Sequence, residues 1–209
     1  FVNNSSDDAK NPCTLIGRLT EIAPVYFAIG NHELEYLNQN LIKGSDLMNE
    51  LEAAGAVVLD KEYVDITVNG VDLRLGGMYD YAFGLNGNND AEAAPDDVRE
   101  FLVDFQDTDN LKAMMCHRPD SFCFGNASEY WDVDLVIAAH NHGGQVVLPF
   151  AGGVYGGDQG WFPEYVHGMY KLGDMEMFVT SGLSSNPKIL PRFNNRPEIV
   201  VVELRKSIK

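Results

Sequence analysis

Three short apolar runs in this chain end in the same unusual way. Residues 25–29 stop at Gly30-Asn31-His32-Glu33, residues 112–116 at His117-Arg118-Pro119-Asp120, and residues 135–139 at His140-Asn141-His142-Gly143-Gly144. Each run has strand length, and each ends by presenting imidazole or amide groups. In α/β sheets, ligands sit outside the carboxyl ends of the strands. Three such ends at one sheet edge make a candidate metal site, because histidine nitrogen suits Zn, Fe, Ni and similar ions. The neighbouring glycines let the backbone turn sharply and approach closely. Taken singly, each histidine reads as a turn residue, and "GNHE" as a polar turn. The coincidence carries the metal reading. Four of the five histidines fall at these ends, and His140 and His142, two residues apart, point the same way in extended chain. His167, in "EYVHGMY", lacks such company and reads as structural or exposed.

The rest of the chain alternates elements around these runs. Helices are predicted over 13–22, over 45–54 with Ser45 as N-cap and Gly55 as C-cap, and over 95–105 with Asp96 and Asp97 at the positive end of the helix dipole. Strands are predicted over 56–59, 63–68 and 71–77, the last two joined by Asn69-Gly70, a strong hairpin signal. Further strands are predicted over 145–148, 176–180 and 199–204. The segments "FGLNGNND" and Gly152 to Gly160 read as loops. Helix and strand alternate early and hairpins dominate late, so the fold class is mixed α/β (α+β) around layered sheets.

At 209 residues the chain suits a single domain, 1–209. Its 31 acidic residues against 15 Lys and Arg leave a formal net charge of -16. That field repels nucleic acid and anionic membrane surfaces. A phosphate-bearing ligand binds such a chain where a local cation reverses the sign, and a metal ion does this well. The three cysteines, Cys13, Cys116 and Cys123, have no CxxC spacing and read as reduced thiols. No run approaches the ~18 apolar residues of a membrane span, and no signal peptide is visible. The chain begins at Phe1, so a natural start upstream is expected. Localisation is then cytoplasmic, or membrane-associated through a missing N-terminus.

The ordered set "GNHE", "CHRPD" and "AHNHGGQVVLP" resembles the calcineurin-like metallophosphoesterases. The tail "SGLSSNPKILPRFNNRPEIVVVEL" is similar to a bacterial subgroup whose last metal motif reads GHTHGGQ. Asn141 stands where that subgroup usually has Thr, and Ala139 where it has Gly. The resemblance implies a layered αββα sandwich. It also implies two divalent ions (Mn, Fe, Zn or Ni) sharing a hydroxide that attacks phosphorus. Carried over, Asn31, His117 and His140 ligate one metal and His142 the other. His32 is then not a ligand but the group that stabilises the transition state or protonates the leaving oxygen. Arg192 is a candidate phosphate contact, with Arg196 beside it. Acceptors behind the ligand imidazoles should fix their tautomers.

The family has two more metal motifs upstream of GNHE, an Asp-x-His and a Gly-Asp-x-x-Asp that bridges the ions. This chain has neither. Asp7 and Asp8 read as a solvated turn. The expected architecture is therefore a sandwich with its N-terminal strands missing, with one metal or none in the chain alone. Three explanations stand: a fragment, a partner copy covering the exposed sheet edge, or a degenerate relative. As a fragment, it carries part of a metal-dependent phosphomonoesterase or phosphodiesterase site acting on a small-molecule, lipid or nucleotide phosphate ester. As a degenerate domain, it is a non-catalytic weak metal-binding or interaction module. A plain α/β fold with incidental histidines is the third reading. No nucleic-acid partner is expected.

Overall fold

The structure is a computed structural model describing residues 10–39, 41–183 and 190–205. Asp7 and Asp8 lie outside these residues. The elements run α1 (Lys10–Thr20), β1 (Val25–Ala28), α2 (Asn31–Gln39), α3 (Leu41–Ala53), β2 (Ala56–Leu59), β3 (Glu62–Val68), β4 (Val71–Met78), α4 (Asp96–Gln106), β5 (Leu111–Cys116), α5 (Asp120–Cys123), α6 (Ala127–Tyr130) and β6 (Leu135–Ala138). Four two-residue strands follow: β7 (Val147–Leu148), β8 (Gly152–Gly153), β9 (Tyr155–Gly156) and β10 (Gly160–Trp161). Then come β11 (Gly168–Leu172) and β12 (Met175–Val179).

One six-stranded mixed sheet organises the molecule, in the order β11-β12-β6-β5-β4-β3. Its inner strands β4, β5, β6 and β12 are mutually parallel. The outer strands β3 and β11 are antiparallel to their neighbours. The β3–β4 hairpin turns at Asn69 and Gly70, both with positive φ (52° and 78°), as a two-residue hairpin requires. A separate parallel pair, β1–β2, joins Val25–Ala28 to Ala56–Leu59 in register.

Burial separates into three apolar clusters. The first holds α1 and α3 against β1 and β2, through Ile16, Leu47 and Leu51 on the helices and Phe27 and Ala56 on the strands. The second joins β2 to the six-stranded sheet through Leu59, Leu75, Ala113 and Leu135. The third packs α4 on the sheet's other side, with Val98, Leu102 and Phe105 against Met114, Val136 and Met177. The approach of β2 to β4 is close: a Cβ on Gly77 would lie 2.5 Å from Leu59 Cβ and 2.7 Å from its carbonyl oxygen. Buried Arg74 on β4 donates to both carboxylate oxygens of Asp65 at 2.8 Å. It also donates to the Asp104 and Phe105 carbonyls at 3.1 and 3.3 Å, satisfying acceptors at the end of α4.

Some expectations shift. The helix expected from Ser45 begins at Leu41, so Ser45 lies inside it and does not cap it. It ends as expected, with Gly55 at φ 100° donating to the Glu52 carbonyl. The stretch 145–148 keeps strand pairing only at β7 and in a bridge from Val146 to Phe193. Gly152 to Gly160 is not plain loop, because two small antiparallel ladders, β7–β8 and β9–β10, form there. The strand expected over 199–204 is corrected: residues 199–205 pair with no strand among the described residues. Ile199 and Val201 are largely exposed there. A β-branched run becomes a strand only when it hydrogen-bonds to a neighbouring strand, and among the described residues this one does not.

Candidate metal centre

The three strand ends meet. After β1, Ile29 and Gly30 lead into α2, whose first residue is Asn31. Gly30 acts as N-cap and Glu33 as the third helical residue. The Gly30 N–H donates to Glu33 Oε2 at 3.0 Å, and Leu34 N–H donates to the Gly30 carbonyl at 3.0 Å. This is one half of a capping box, and it explains why a carboxylate follows "GNH": Glu33 is buried and ties down the turn that aims Asn31. A Cβ on Gly30 would lie 2.7 Å from Glu33 Oε2 and 3.0 Å from the His117 ring.

At the ends of β5 and β6, His117 and His140 face Asn31. His117 Nε2 lies 2.8 Å from Asn31 Oδ1 and 3.2 Å from His140 Nδ1. Two atoms that both ligate one ion at about 2.1 Å lie roughly 3.0–3.4 Å apart at octahedral or tetrahedral angles. The His117–His140 separation falls in that range, and the Asn31–His117 separation lies just below it. Burial, then the nearby imidazoles of His140 and His142, push the His117 pKa down to about 3, so its ring is neutral and its lone pair available. The donor set is uncharged. Among the described residues no group of three His, Cys, Asp or Glu side chains gathers as a metal-holding set.

His140 and His142 sit in a tight turn with φ of 59° and 46°. A left-handed non-glycine residue costs about 1–3 kcal/mol and persists where the surroundings over-determine it. Here Asn195 Nδ2 donates to the His142 and Gln145 carbonyls at 2.7 and 3.0 Å. Asn141 Nδ2 donates to the Tyr165 carbonyl at 2.8 Å, and the Gly157 N–H donates to Asn141 Oδ1 at 2.9 Å. Arg192 braces the same turn: its guanidinium donates to Asn195 Oδ1 and to the Ser181 and Gly182 carbonyls. A phosphate contact from Arg192 has to compete with those carbonyls.

His142, His117 and His140 line a cavity of about 960 Å³, together with Tyr26, Met115, Ile137 and Phe178 and the tail residues Ile199, Val200 and Val202. His32 stands on α2 with Nδ1 4.0 Å from Glu35 Oε2. Exposed His167 pairs with Glu198 at 3.0 Å, the surface role expected of it. Tyr155 and Trp161 pack on each other, ring centroids 5.4 Å apart, as anchors of the glycine-rich loop.

Sequence reasoning missed the groups behind the histidines. Arg118 stacks on Tyr79, 4.1 Å from the ring centroid, and donates to its hydroxyl. Arg118 Nε also faces Asp158 Oδ2 at 3.2 Å, and the same oxygen lies 3.4 Å from His140 Nε2. The nearby His140 imidazole holds the Asp158 carboxyl below its usual range, against the opposing effect of burial, with help from Arg118 and Tyr81. The only signal for this in the sequence is "HRPD" itself. Its partner lies 40 residues on, in a loop.

No family model matches the chain, and no solved structure does. It is 33% identical over 94 residues to the uncharacterized metallophosphoesterase YkuE of Bacillus subtilis, covering 45% of this chain and 31% of that protein. It is 26% identical over 190 residues to the phosphodiesterase YaeI of Escherichia coli, covering 91% and 62%. It is 28% identical over 187 residues to the uncharacterized metallophosphoesterase Cj0846 of Campylobacter jejuni, covering 87% and 42%. The matches span less than two thirds of each relative's length. The chain is a distant homologue of bacterial metallophosphoesterases.

Proposed function

We propose that these residues form one side of the active centre of a metal-dependent phosphoester hydrolase, a phosphomonoesterase or phosphodiesterase. The observation that carries this reading is the convergence of Asn31 Oδ1, His117 Nε2 and His140 Nδ1 within 3.2 Å of one another along the chain of contacts. When bound, divalent ions (Mn, Fe, Zn or Ni) supply an activated water and neutralise phosphoryl oxygens. Asn31, His117 and His140 hold the first ion, and His142 contributes to a second. His32 gives a proton to the leaving oxygen. In the family that the chain resembles, the remaining ligands include acidic groups and lie in an Asp-x-His and a Gly-Asp-x-x-Asp motif. The tail 199–205, which pairs with no strand among the described residues, and the large apolar cavity beside β1 support a site completed by further strands. Strands placed there complete the αββα sandwich implied by the family. The substrate is a small-molecule, lipid or nucleotide phosphate ester, and a second copy is the other candidate to cover the exposed edge.

Activity on nitrophenyl phosphate and bis-nitrophenyl phosphate, with added Mn, Ni or Zn, tests the reading in a protein with the upstream strands restored. Absence of hydrolysis under every metal ends it. Metal analysis of the 209-residue chain tests the partial site, with one ion or none expected. Two ions per chain contradict it, because the residues named cannot hold both.

A second reading is a non-catalytic domain binding one weak metal or a partner. It is favoured by the lack of any His, Cys, Asp and Glu metal set among the described residues. The same activity assay separates the two.

A further inference from the structure

Two buried nitrogen atoms beside the metal centre, His140 Nε2 and Arg118 Nε, have no hydrogen bond of good geometry. Leaving such groups unpaired costs about 1–3 kcal/mol each. Both face one oxygen. Asp158 Oδ2 lies 3.4 Å from His140 Nε2 and 3.2 Å from Arg118 Nε. Arg118 is itself fixed against the rings of Tyr79 and Tyr81, at 4.1 and 4.9 Å from their centroids.

The loop carrying Asp158 is fitted closely to the imidazole. A Cβ on Gly157 would lie 2.3 Å from His140 Nε2, so only glycine fits the backbone beside the ring. The Gly157 N–H bonds Asn141 Oδ1, in the turn that holds His140. The next residue, Gln159, donates to Asp120 Oδ2 at 3.3 Å. The "HRPD" and "GGDQG" segments thus interlock at two adjacent points. His140 Nδ1 faces His117 Nε2 on the opposite side of the ring.

We propose that Asp158 is a positioning residue that fixes His140 in the Nε2–H tautomer, leaving the Nδ1 lone pair for the Asn31–His117 cluster. A neutral imidazole has one donor and one acceptor nitrogen, and the partner of one decides the role of the other. An ionised carboxylate only accepts, so the proton must lie on Nε2. Carboxylate partners of this kind orient metal-binding histidines and raise their basicity. Asp158 does not touch substrate and acts through His140. The consequence for metal binding rests on the reading given under Proposed function, whereas the tautomer does not.

Long-range 15N correlation spectra of the labelled 209-residue chain, with no metal added, read the tautomer directly. His140 is expected as Nε2–H in the wild type. Asp158→Ala moves it toward Nδ1–H, and calorimetric Zn²⁺ affinity falls about 10–100-fold. Asp158→Asn retains an acceptor oxygen and keeps the tautomer, a rescue that a merely structural role does not predict. A wild-type ring protonated on Nδ1 overturns the proposal, as does an Ala variant with the wild-type tautomer. If the Ala variant does not fold, the wild-type ring still decides. A tautomer that moves as expected in a chain that binds no Zn²⁺ upholds the positioning role, and the Zn²⁺ comparison then passes to the protein with the upstream strands restored.

Discussion

At Gly30 the packing leaves no room for a methyl group. One side is taken by the Glu33 carboxylate and the other by the His117 ring. Gly30→Ala must displace one of them, and overpacking of this kind costs about 1–3 kcal/mol. Urea unfolding is expected to show that loss together with weaker Zn²⁺ binding, because the displaced groups aim Asn31 and His117. A variant with wild-type stability and affinity shows that the turn has slack the distances do not suggest. At this scale the sequence was informative where chemistry is local. Asn31, His117 and His140 were legible as candidates because each lies within two residues of the end of an apolar run. Glu33 had a nearby reason, the capping of its own helix. Arg118 and Asp158 were not legible together, since nothing in "HRPD" says which loop 40 residues later will oppose it.

Among the elements, the tail after Asn195 is tied to residues 180–182 by backbone and side chain: Ser181 Oγ donates to the Arg196 carbonyl at 3.3 Å and the Glu198 N–H to the Gly182 carbonyl at 3.0 Å. Glu198 accepts from the Ser181 N–H at 2.8 Å, from Thr180 Oγ1 at 3.0 Å and from His167 Nε2 at 3.0 Å. Burial works to raise its pKa, but the Ser181 N–H, the His167 imidazole and the Thr180 hydroxyl outweigh it and hold it down at about 2. The sign follows from the depressed folded value. Glu198 contributes its full stabilisation above the unfolded carboxylate pKa of about 4.3, and that contribution is lost as pH falls toward 2. Thermal melts from pH 5 down to pH 2 should therefore lose less stability in Glu198→Gln than in the wild type. Equal acid slopes in the two proteins rule out this tie. Helix and strand existence was legible from periodicity, and the Asn69-Gly70 hairpin from its turn residues. The tail 199–204 was misread because its β-branched pattern satisfies strand propensity, while a strand also needs a neighbour.

Over the whole molecule, a formal charge of -16 on 209 residues makes the folded state repel itself. Salt screens that repulsion over a Debye length of about 10 Å at 0.1 M. The melting temperature is expected to rise by about 2–5 °C between 10 mM and 0.5 M NaCl. A flat or falling curve shows that paired charges such as Arg74–Asp65 and Lys112–Asp132 outweigh the net repulsion. The sequence by itself determined the mixed α/β class, the acidic surface and the three strand ends that carry donor groups. These are properties of short windows: apolar runs, turn residues and composition. Tertiary structure alone decided that the three ends meet, that β2 crosses β4 at Gly77, that Arg192 holds a turn and that Asp158 stands behind His140. Each depends on distances between residues remote in the chain, which sheet order and loop path set and no local pattern encodes.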